Sequence, residues 1–188
     1  MSDTTNADSC NKAGYSRDTS KIIQNIEKLH ELGVVGVNIE DSVKGEELYM
    51  QPVDDFQKIV SSIANHLEQK NIKMFLNARI DAFLCELPSP ITETVKRIKA
   101  YESAGANGIF VPFINNKNEI RKAVEATKLP LNVFSTPTLP GFKALSALGV
   151  RRISMGRAVH IALTRSLEKI IKTIKEDQSF KSLYCVCS

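Results

Sequence analysis

The sequence lacks the long apolar segments that membrane proteins need. No run approaches the roughly 18 apolar residues of a spanning helix, and the first residues, MSDTTNADSC, contain no hydrophobic core of a secretion signal. Tryptophan is absent, and the four cysteines lie at positions 10, 85, 185 and 187, a spacing that fits neither a metal knuckle nor a disulfide framework. We therefore predict a cytoplasmic protein with free thiols and no membrane partner.

A concentration of positive charge is also missing. The chain has 25 basic and 21 acidic residues, a formal net charge of +4, and its basic residues are scattered. Nucleic-acid binding needs a basic stripe, often interleaved with aromatic residues, and only 6% of the residues are aromatic. We therefore expect no nucleic-acid partner. The three histidines form no pattern with Cys and Asp that indicates a nucleophilic triad.

The chain does contain a regular alternation of helical and strand patterns. Residues 1–18 are polar and predict an irregular segment, residues 19–178 carry the alternation in one domain, and residues 179–188 form a tail. The helix end, glycine and strand of LGVVGVNI recur in AGANGIFV and LGVRRISM. Five strands that are apolar throughout, separated by helices, indicate an α/β fold whose parallel sheet is covered on both faces.

Two architectures contain such a sheet. An open doubly wound sheet that binds nucleotides usually has a glycine-rich phosphate loop after a strand, and this sequence has none. A complete (βα)8 barrel needs about 200–250 residues, more than the 188 of this chain. If the fold is a barrel, we expect about five of its eight strands, with the first strands missing.

In both architectures, functional residues collect just past the carboxyl ends of the parallel strands. The polar residues at those positions include Glu40, Asp41, Asn77, Arg79, Asp81, Ser135 and Thr136. Carboxylates suit Mg²⁺, which takes one or two of them and keeps several waters. The planar, permanently charged guanidinium of Arg79 suits a substrate carboxylate or phosphate. Structural roles remain open: Asp41 could cap the helix after its strand, and Arg79 and Asp81 could form a purely structural ion pair.

Four segments make the sequence recognisable as a relative of known enzymes. In order and spacing, LGVVGVNIEDS, FLNARIDAFL, ETVKRIKAYESAGANGIFVPF and LPLNVFSTPTLPGFKALSALGVRRISMG resemble the isocitrate lyase and phosphoenolpyruvate mutase superfamily, in particular its phosphonomutase-like branch. The resemblance runs from about Ala13 to Asp177. It implies a (βα)8 barrel of the TIM type without its N-terminal strands. It also implies a homo-oligomer, because the last helix of family members often packs against a neighbouring subunit.

The resemblance carries a function with it. It implies a Mg²⁺-dependent lyase or mutase that acts on a C–C or P–C bond of a small 2-oxo or 2-hydroxy acid through an enolate-like intermediate. Glu40 and Arg79 would be catalytic, Glu40 and Asp41 would lie at the metal, and Arg79 would clamp the substrate carboxylate. Asn77, Asp81 and Ser135 would complete the substrate site.

Three departures from the family pattern bear on activity. The family places two metal-binding acids directly before a GYG or GYS turn, but Cys10 and Lys12 occupy that place before AGYS here. The segment SVKGEELYMQPVDD lacks the Cys and His of the lyase loop, and Pro112 stands near the position of a mutase His. The alternative hypothesis is therefore a catalytically inactive or truncated family member with a structural or interaction role.

Overall fold

Helices and strands alternate along Ser16 and residues 18–184, the part of the chain that the computed structural model describes. The α-helices are Thr19–Glu31 (α1), Val53–Gln69 (α2), Pro90–Ser103 (α3), Lys117–Glu125 (α4), Phe142–Leu148 (α5) and Ala158–Asp177 (α6). The strands are Gly36–Glu40 (β1), Ser42–Lys44 (β2), Leu48–Met50 (β3), Phe75–Arg79 (β4), Gly108–Val111 (β5), Leu131–Phe134 (β6) and Arg152–Ser154 (β7). The chain divides into two units between Ser154 and Met155.

Five parallel strands form the main sheet of the first unit, in the order β1-β4-β5-β6-β7. This confirms the predicted α/β fold with five parallel strands. Strands β2 and β3 instead form a small antiparallel hairpin between β1 and α2. This hairpin was not predicted from the sequence, because its two strands have three residues each and carry little periodic signal.

One face of the sheet forms the core with the helices. Strand side chains alternate between the two faces, and the helix-facing set is fully or almost fully buried: Val37, Ile39, Leu76, Ala78, Ile109, Val111, Leu131 and Val133. Burial of each large aliphatic side chain contributes about 1.5–3 kcal/mol. The opposite face carries a row of residues in direct register across the strands: Glu40, Arg79, Phe110, Asn132 and Arg152.

Local sequence signals explain where the elements begin and end. The Asp18 side chain accepts a hydrogen bond from the Ser20 backbone N–H at 2.9 Å and caps α1, and Pro90 begins α3. The three repeated segments each turn at a glycine with positive φ, at Gly33, Gly105 and Gly149. These glycines end a helix and direct the chain into the next strand.

The second unit consists of α6 and a short 3-10 helix, Lys181–Leu183, in the segment predicted as a tail. Helix α6 is amphipathic, with Val159, Leu163, Leu167 and Ile171 following one another at four-residue spacing. None of its residues is buried. Within residues 18–184, no helix is long and apolar enough to cross a membrane. The predicted homo-oligomer remains a prediction.

Candidate functional site

The predicted site residues at the ends of β1 and β4 lie side by side. The two strands are parallel neighbours, and Glu40 stands in direct register with Arg79. Neighbouring strands lie about 4.8 Å apart, so the carboxyl ends of β1 and β4 and the residues just beyond them share one edge of the sheet. We call this edge the rim and the four residues Glu40, Asp41, Arg79 and Asp81 the rim cluster.

Arg79 is held between two carboxylates of the rim cluster. Its Nη1 lies 3.0 Å from Glu40 Oε2, and its Nε lies 2.7 Å from Asp81 Oδ1. The centre of the guanidinium lies 5.7 Å from the ring centroid of Phe110, which supports it from β5. The Arg79–Asp81 ion pair that the sequence left open is therefore present. These contacts give the guanidinium a defined plane at the rim.

Asp81 connects Arg79 to deeper layers of the site. One of its carboxylate oxygens faces Arg79, and the other accepts a hydrogen bond from the Ser42 hydroxyl at the start of β2. Its backbone N–H donates to Asp41 Oδ1 at 3.0 Å, and its carbonyl accepts from the Cys85 N–H at 2.8 Å. Asp81 is fully buried. Its main role in this geometry is to fix the position of Arg79.

Asp41 is the centre of a buried network that reaches helix α3. Its Oδ2 accepts hydrogen bonds from Arg97 Nη1 and from the Tyr101 hydroxyl, each at 2.9 Å, while its Oδ1 accepts from Asp81. Arg97 Nη1 also lies 2.8 Å from the Tyr101 oxygen, to which it donates. Strand β2 follows Asp41, so the helix-capping interpretation of this residue is wrong. We call Asp41, Asp81, Arg97 and Tyr101 the buried network.

Arg97 and Tyr101 are site residues that the sequence analysis missed. Both point from the buried face of α3, where Thr94 and Ile98 are also fully buried. A signal for them exists in the sequence: an arginine on the apolar face of an amphipathic helix needs an acidic partner in the core. The two-carboxylate motif of β1 supplies that partner.

Burial changes the proton affinity of this network. It raises the pKa of Asp41 to about 6, against the opposing effects of Arg97, the Asp81 N–H and the Tyr101 hydroxyl. Burial and the neighbouring Asp41 charge raise the pKa of Tyr101, which therefore stays a hydrogen-bond donor. For Arg97, burial acts to lower the pKa, but Asp41 and the other oxygen atoms outweigh it and raise the pKa further.

The remaining predicted substrate residues lie farther from Arg79. Asn77 stands two residues earlier on β4, is almost fully buried, and donates from Nδ2 to Asn38 Oδ1 at 2.7 Å. Ser135 follows β6, two places from β4 in the sheet, and its N–H donates to the Ser154 carbonyl at 2.8 Å. The structure thus brings Glu40, Asp41, Arg79 and Asp81 into direct contact, with Asn77 just below them and Ser135 across the sheet.

By itself, the rim cluster does not form a magnesium site in this geometry. Glu40 and Asp81 pair with Arg79, and both oxygens of Asp41 accept hydrogen bonds in the interior. In Ser16 and residues 18–184, no group of three or more His, Cys, Asp or Glu side chains could hold a metal ion. Cys10 and Lys12, which stand where family acids are expected, lie outside the described residues. The predicted roles of Glu40 and Asp41 at a metal remain predictions, and this geometry does not favour Asp41 as a ligand.

The sequence of this chain is similar to those of known proteins. A family model described as phosphoenolpyruvate phosphomutase matches residues 8–175. The chain is 32% identical over 149 residues to an uncharacterised protein of Mycobacterium tuberculosis, covering 79% of this chain and 54% of that protein. It is 27% identical over 179 residues to an oxaloacetate decarboxylase of Rhodopseudomonas palustris, covering 90% of this chain and 59% of that enzyme.

The fold is also similar to that of solved structures. A Burkholderia cenocepacia protein, provisionally described as a phosphonomutase, matches with a TM-score of 0.80 at 27% identity, over 87% of this chain and 67% of that one. The match confirms the predicted (βα)8-barrel type, to which the described sheet contributes five strands. The chain spans about half the length of the curated relatives it matches.

Proposed function

Since this chain belongs to the phosphoenolpyruvate phosphomutase family, we propose that its rim binds the carboxylate of a small 2-oxo or 2-hydroxy acid at Arg79. The activity proposed for the protein is that of a lyase or mutase, which acts on a C–C or P–C bond of that acid. The observation that carries this proposal is the position of Arg79. Its guanidinium stands at the carboxyl end of β4 with its plane fixed by Glu40, Asp81 and Phe110.

A fixed guanidinium suits the recognition of a planar carboxylate. Arginine donates in a rigid fork that matches two carboxylate oxygens, and little conformational freedom is lost when the fork is already oriented. The Arg79 side chain is only 12% exposed, which places the charge in a setting where water screens it weakly. An incoming carboxylate would compete with Glu40 for Arg79, because both are anions that accept hydrogen bonds from the guanidinium N–H groups.

The oxaloacetate decarboxylases among the relatives point to a four-carbon acid. Loss of CO₂ from such an acid leaves the bonding electrons on an enolate, which then takes up a proton at carbon. The positive charge of Arg79 would stabilise the negative charge that develops on the enolate oxygen. Asp81 and Glu40 would orient Arg79 for this role, and Asp41 would hold Asp81. By itself the rim cluster forms no magnesium site in this geometry, so no step is assigned to a metal.

The test measures binding and turnover separately on the full chain. Calorimetry with oxalate, a stable mimic of the enolate, measures binding, and pyruvate formed from oxaloacetate measures carbon–carbon cleavage. We expect Arg79→Lys to bind oxalate about 10–100-fold more weakly, because hydrogen bonds between charged groups contribute about 1.5–3 kcal/mol. The matched control is Arg121→Lys on the exposed surface of α4, which should bind like the wild type. Equal affinity in both variants would refute the role of Arg79.

A second candidate function is that of an inactive family member that keeps the fold for an interaction. The contacts of Arg79 favour it, because Glu40 and Asp81 already balance the guanidinium charge without a ligand. Oxalate binding without pyruvate formation would support this candidate, as would a folded protein that binds neither acid. Pyruvate formation that is lost in Arg79→Lys would reject it.

A further inference from the structure

A continuous chain of hydrogen bonds connects helix α3 to the proposed carboxylate site. Tyr101 and Arg97 donate to Asp41 Oδ2, Asp41 Oδ1 accepts from the Asp81 backbone N–H, and Asp81 Oδ1 accepts from Arg79 Nε. Each link is 2.7–3.0 Å long. Tyr101 is therefore three contacts away from Arg79, and it touches no residue proposed to meet the substrate.

We propose that Tyr101 is a positioning residue for Arg79, acting through Asp41 and Asp81. This inference rests on the proposed function of Arg79. Tyr101, on helix α3, does not contact the ligand in this proposal. It helps to set the orientation of the Arg79 guanidinium, which binds the ligand.

The two carboxylate oxygens of Asp41 have different hydrogen-bond partners. An aspartate carboxylate rotates in a broad, two-fold torsional well, so its partners decide which oxygen points where. Tyr101 and Arg97 both converge on Oδ2, which directs Oδ1 to the Asp81 N–H. Without the tyrosine hydroxyl, Asp41 Oδ2 loses one of these two hydrogen bonds and keeps the one from Arg97. Rotation of the carboxylate is then less constrained.

In the short segment after β4, Asp81 links Asp41 to Arg79. The Asp81 backbone is held by Asp41, and its side chain holds both Arg79 and Ser42. A shift of the Asp81 backbone therefore moves the guanidinium plane. Functional groups act only when they are held within about 0.5 Å of the productive geometry, so a small displacement is sufficient to weaken carboxylate binding.

Arg97 cannot replace Tyr101 as the second donor to Asp41 Oδ2. Its Nε donates to Glu93 Oε1 and its Nη2 to the Gln51 carbonyl, each at 2.8 Å, while Nη1 serves Asp41 and Tyr101. All three guanidinium nitrogens are thus engaged. Tyr101 also packs edge-on against Phe56, with ring centroids 4.9 Å apart. Removal of the hydroxyl alone leaves that packing intact.

The experiment compares Tyr101→Phe with Thr94→Val in the full chain. Thr94 lies two turns earlier on α3, is fully buried, and its hydroxyl has no partner among the residues that the structure describes. Both variants therefore remove one buried hydroxyl from the same helix face, but only Tyr101→Phe touches the buried network. The first readout is hydrogen exchange of the Arg79 Nε–H, measured by nitrogen-15 NMR without ligand.

We expect this Nε–H to exchange about fivefold faster in Tyr101→Phe, the effect of about one lost hydrogen bond, and to be unchanged in Thr94→Val. The second readout is oxalate affinity in a double-mutant cycle with Arg79→Lys. Tyr101→Phe should bind oxalate about fivefold more weakly than the wild type and cause no further loss in the Arg79→Lys background. A merely structural role would give the same loss in both backgrounds.

The two readouts separate the possible failures. Unchanged Nε–H exchange in Tyr101→Phe overturns the positioning role, whatever the protein binds. If the Nε–H exchanges faster in Tyr101→Phe but the wild type does not bind oxalate, the positioning of Arg79 is supported and the proposed function is overturned instead.

Discussion

Asp41 gives the folded protein an unusual pH dependence that can be isolated by one substitution. The carboxylate is fully buried, and burial raises its pKa from 3.8 to about 6. The perturbation is Asp41→Asn, which keeps the shape of the side chain but removes its titration. Every other titrating group is common to the two proteins, so their difference in unfolding free energy reports Asp41 and its neighbours.

The sign follows from proton uptake. Between pH 4 and 6 the folded state binds more protons at Asp41 than the unfolded state does, so the contribution of Asp41 to stability decreases as the pH rises through this range. The difference between the unfolded pKa of Asp41, 3.8, and its folded pKa of about 6 corresponds to about 3 kcal/mol. Between pH 4.5 and 7, the wild type should lose about 2 kcal/mol relative to Asp41→Asn. The lost partner of Arg97 adds a destabilisation that does not vary with pH in this range.

The assay is urea denaturation of both proteins at pH 4.5, 5.5 and 7.0, followed by far-ultraviolet circular dichroism. A difference that stays constant with pH would mean that Asp41 titrates normally. A difference that moves in the wild type's favour as the pH rises would mean that Arg97 and Tyr101 outweigh burial. If Asp41→Asn is too unstable to purify, the carbon-13 shift of the Asp41 carboxyl in the wild type should titrate with a midpoint near 6.

Three further predictions concern other buried positions. Asn132→Leu should raise the unfolding free energy by about 1 kcal/mol, because both atoms of the side-chain amide are buried without a hydrogen-bond partner in the described part of the chain. A lower unfolding free energy in urea denaturation would contradict this and indicate that the amide has a hydrogen-bond partner. Gly105→Ala should lower the unfolding free energy by at least about 1 kcal/mol more than Gly33→Ala does. Both glycines have positive φ, but only a Cβ at Gly105 would clash, because it would lie 2.8 Å from the Ala64 side chain. Equal urea midpoints for the two variants would contradict this. Burial, with Asp81 and Asp41, raises the pKa of Cys85 to about 11, so peptide mapping should show iodoacetamide labelling at pH 8 that is about 100-fold slower than for an ordinary thiol, and comparable rates would refute it.

Much of the scaffold could be predicted because its signals are local. Asp18, Pro90 and the glycines at 33, 105 and 149 act within their own turns, and the helices and main strands alternate in apolar periods that a single sequence displays. The rim residues followed from topology, since parallel strands bring their carboxyl ends to one edge. The β2–β3 hairpin lacks both kinds of signal, because each of its strands has only three residues and it is not part of the parallel sheet.

The partners within the site could not be predicted, because they join residues far apart in the sequence. Arg97 and Tyr101 lie 56 and 60 residues from Asp41, and their contact depends on the angle at which α3 packs on the sheet. For the same reason, the sequence offered Asp41 as a metal-site residue, whereas the structure directs both its oxygens inward. The sequence was sufficient to predict that Arg79 and its acidic neighbours lie at the rim, whereas tertiary packing determines which carboxylate oxygens contact Arg79.

Oxalate binding by the wild type and by Glu40→Gln, each with and without Mg²⁺, decides whether Arg79 binds the substrate carboxylate or whether Glu40 serves a metal ion. Glu40 Oε2 lies 3.0 Å from Arg79 Nη1, and the variant removes this competing charge. If Arg79 is the carboxylate-binding group, Glu40→Gln should bind oxalate at least about fivefold more tightly, with or without Mg²⁺. Weaker binding by Glu40→Gln, above all when Mg²⁺ is present, would contradict the account and assign Glu40 to a metal instead.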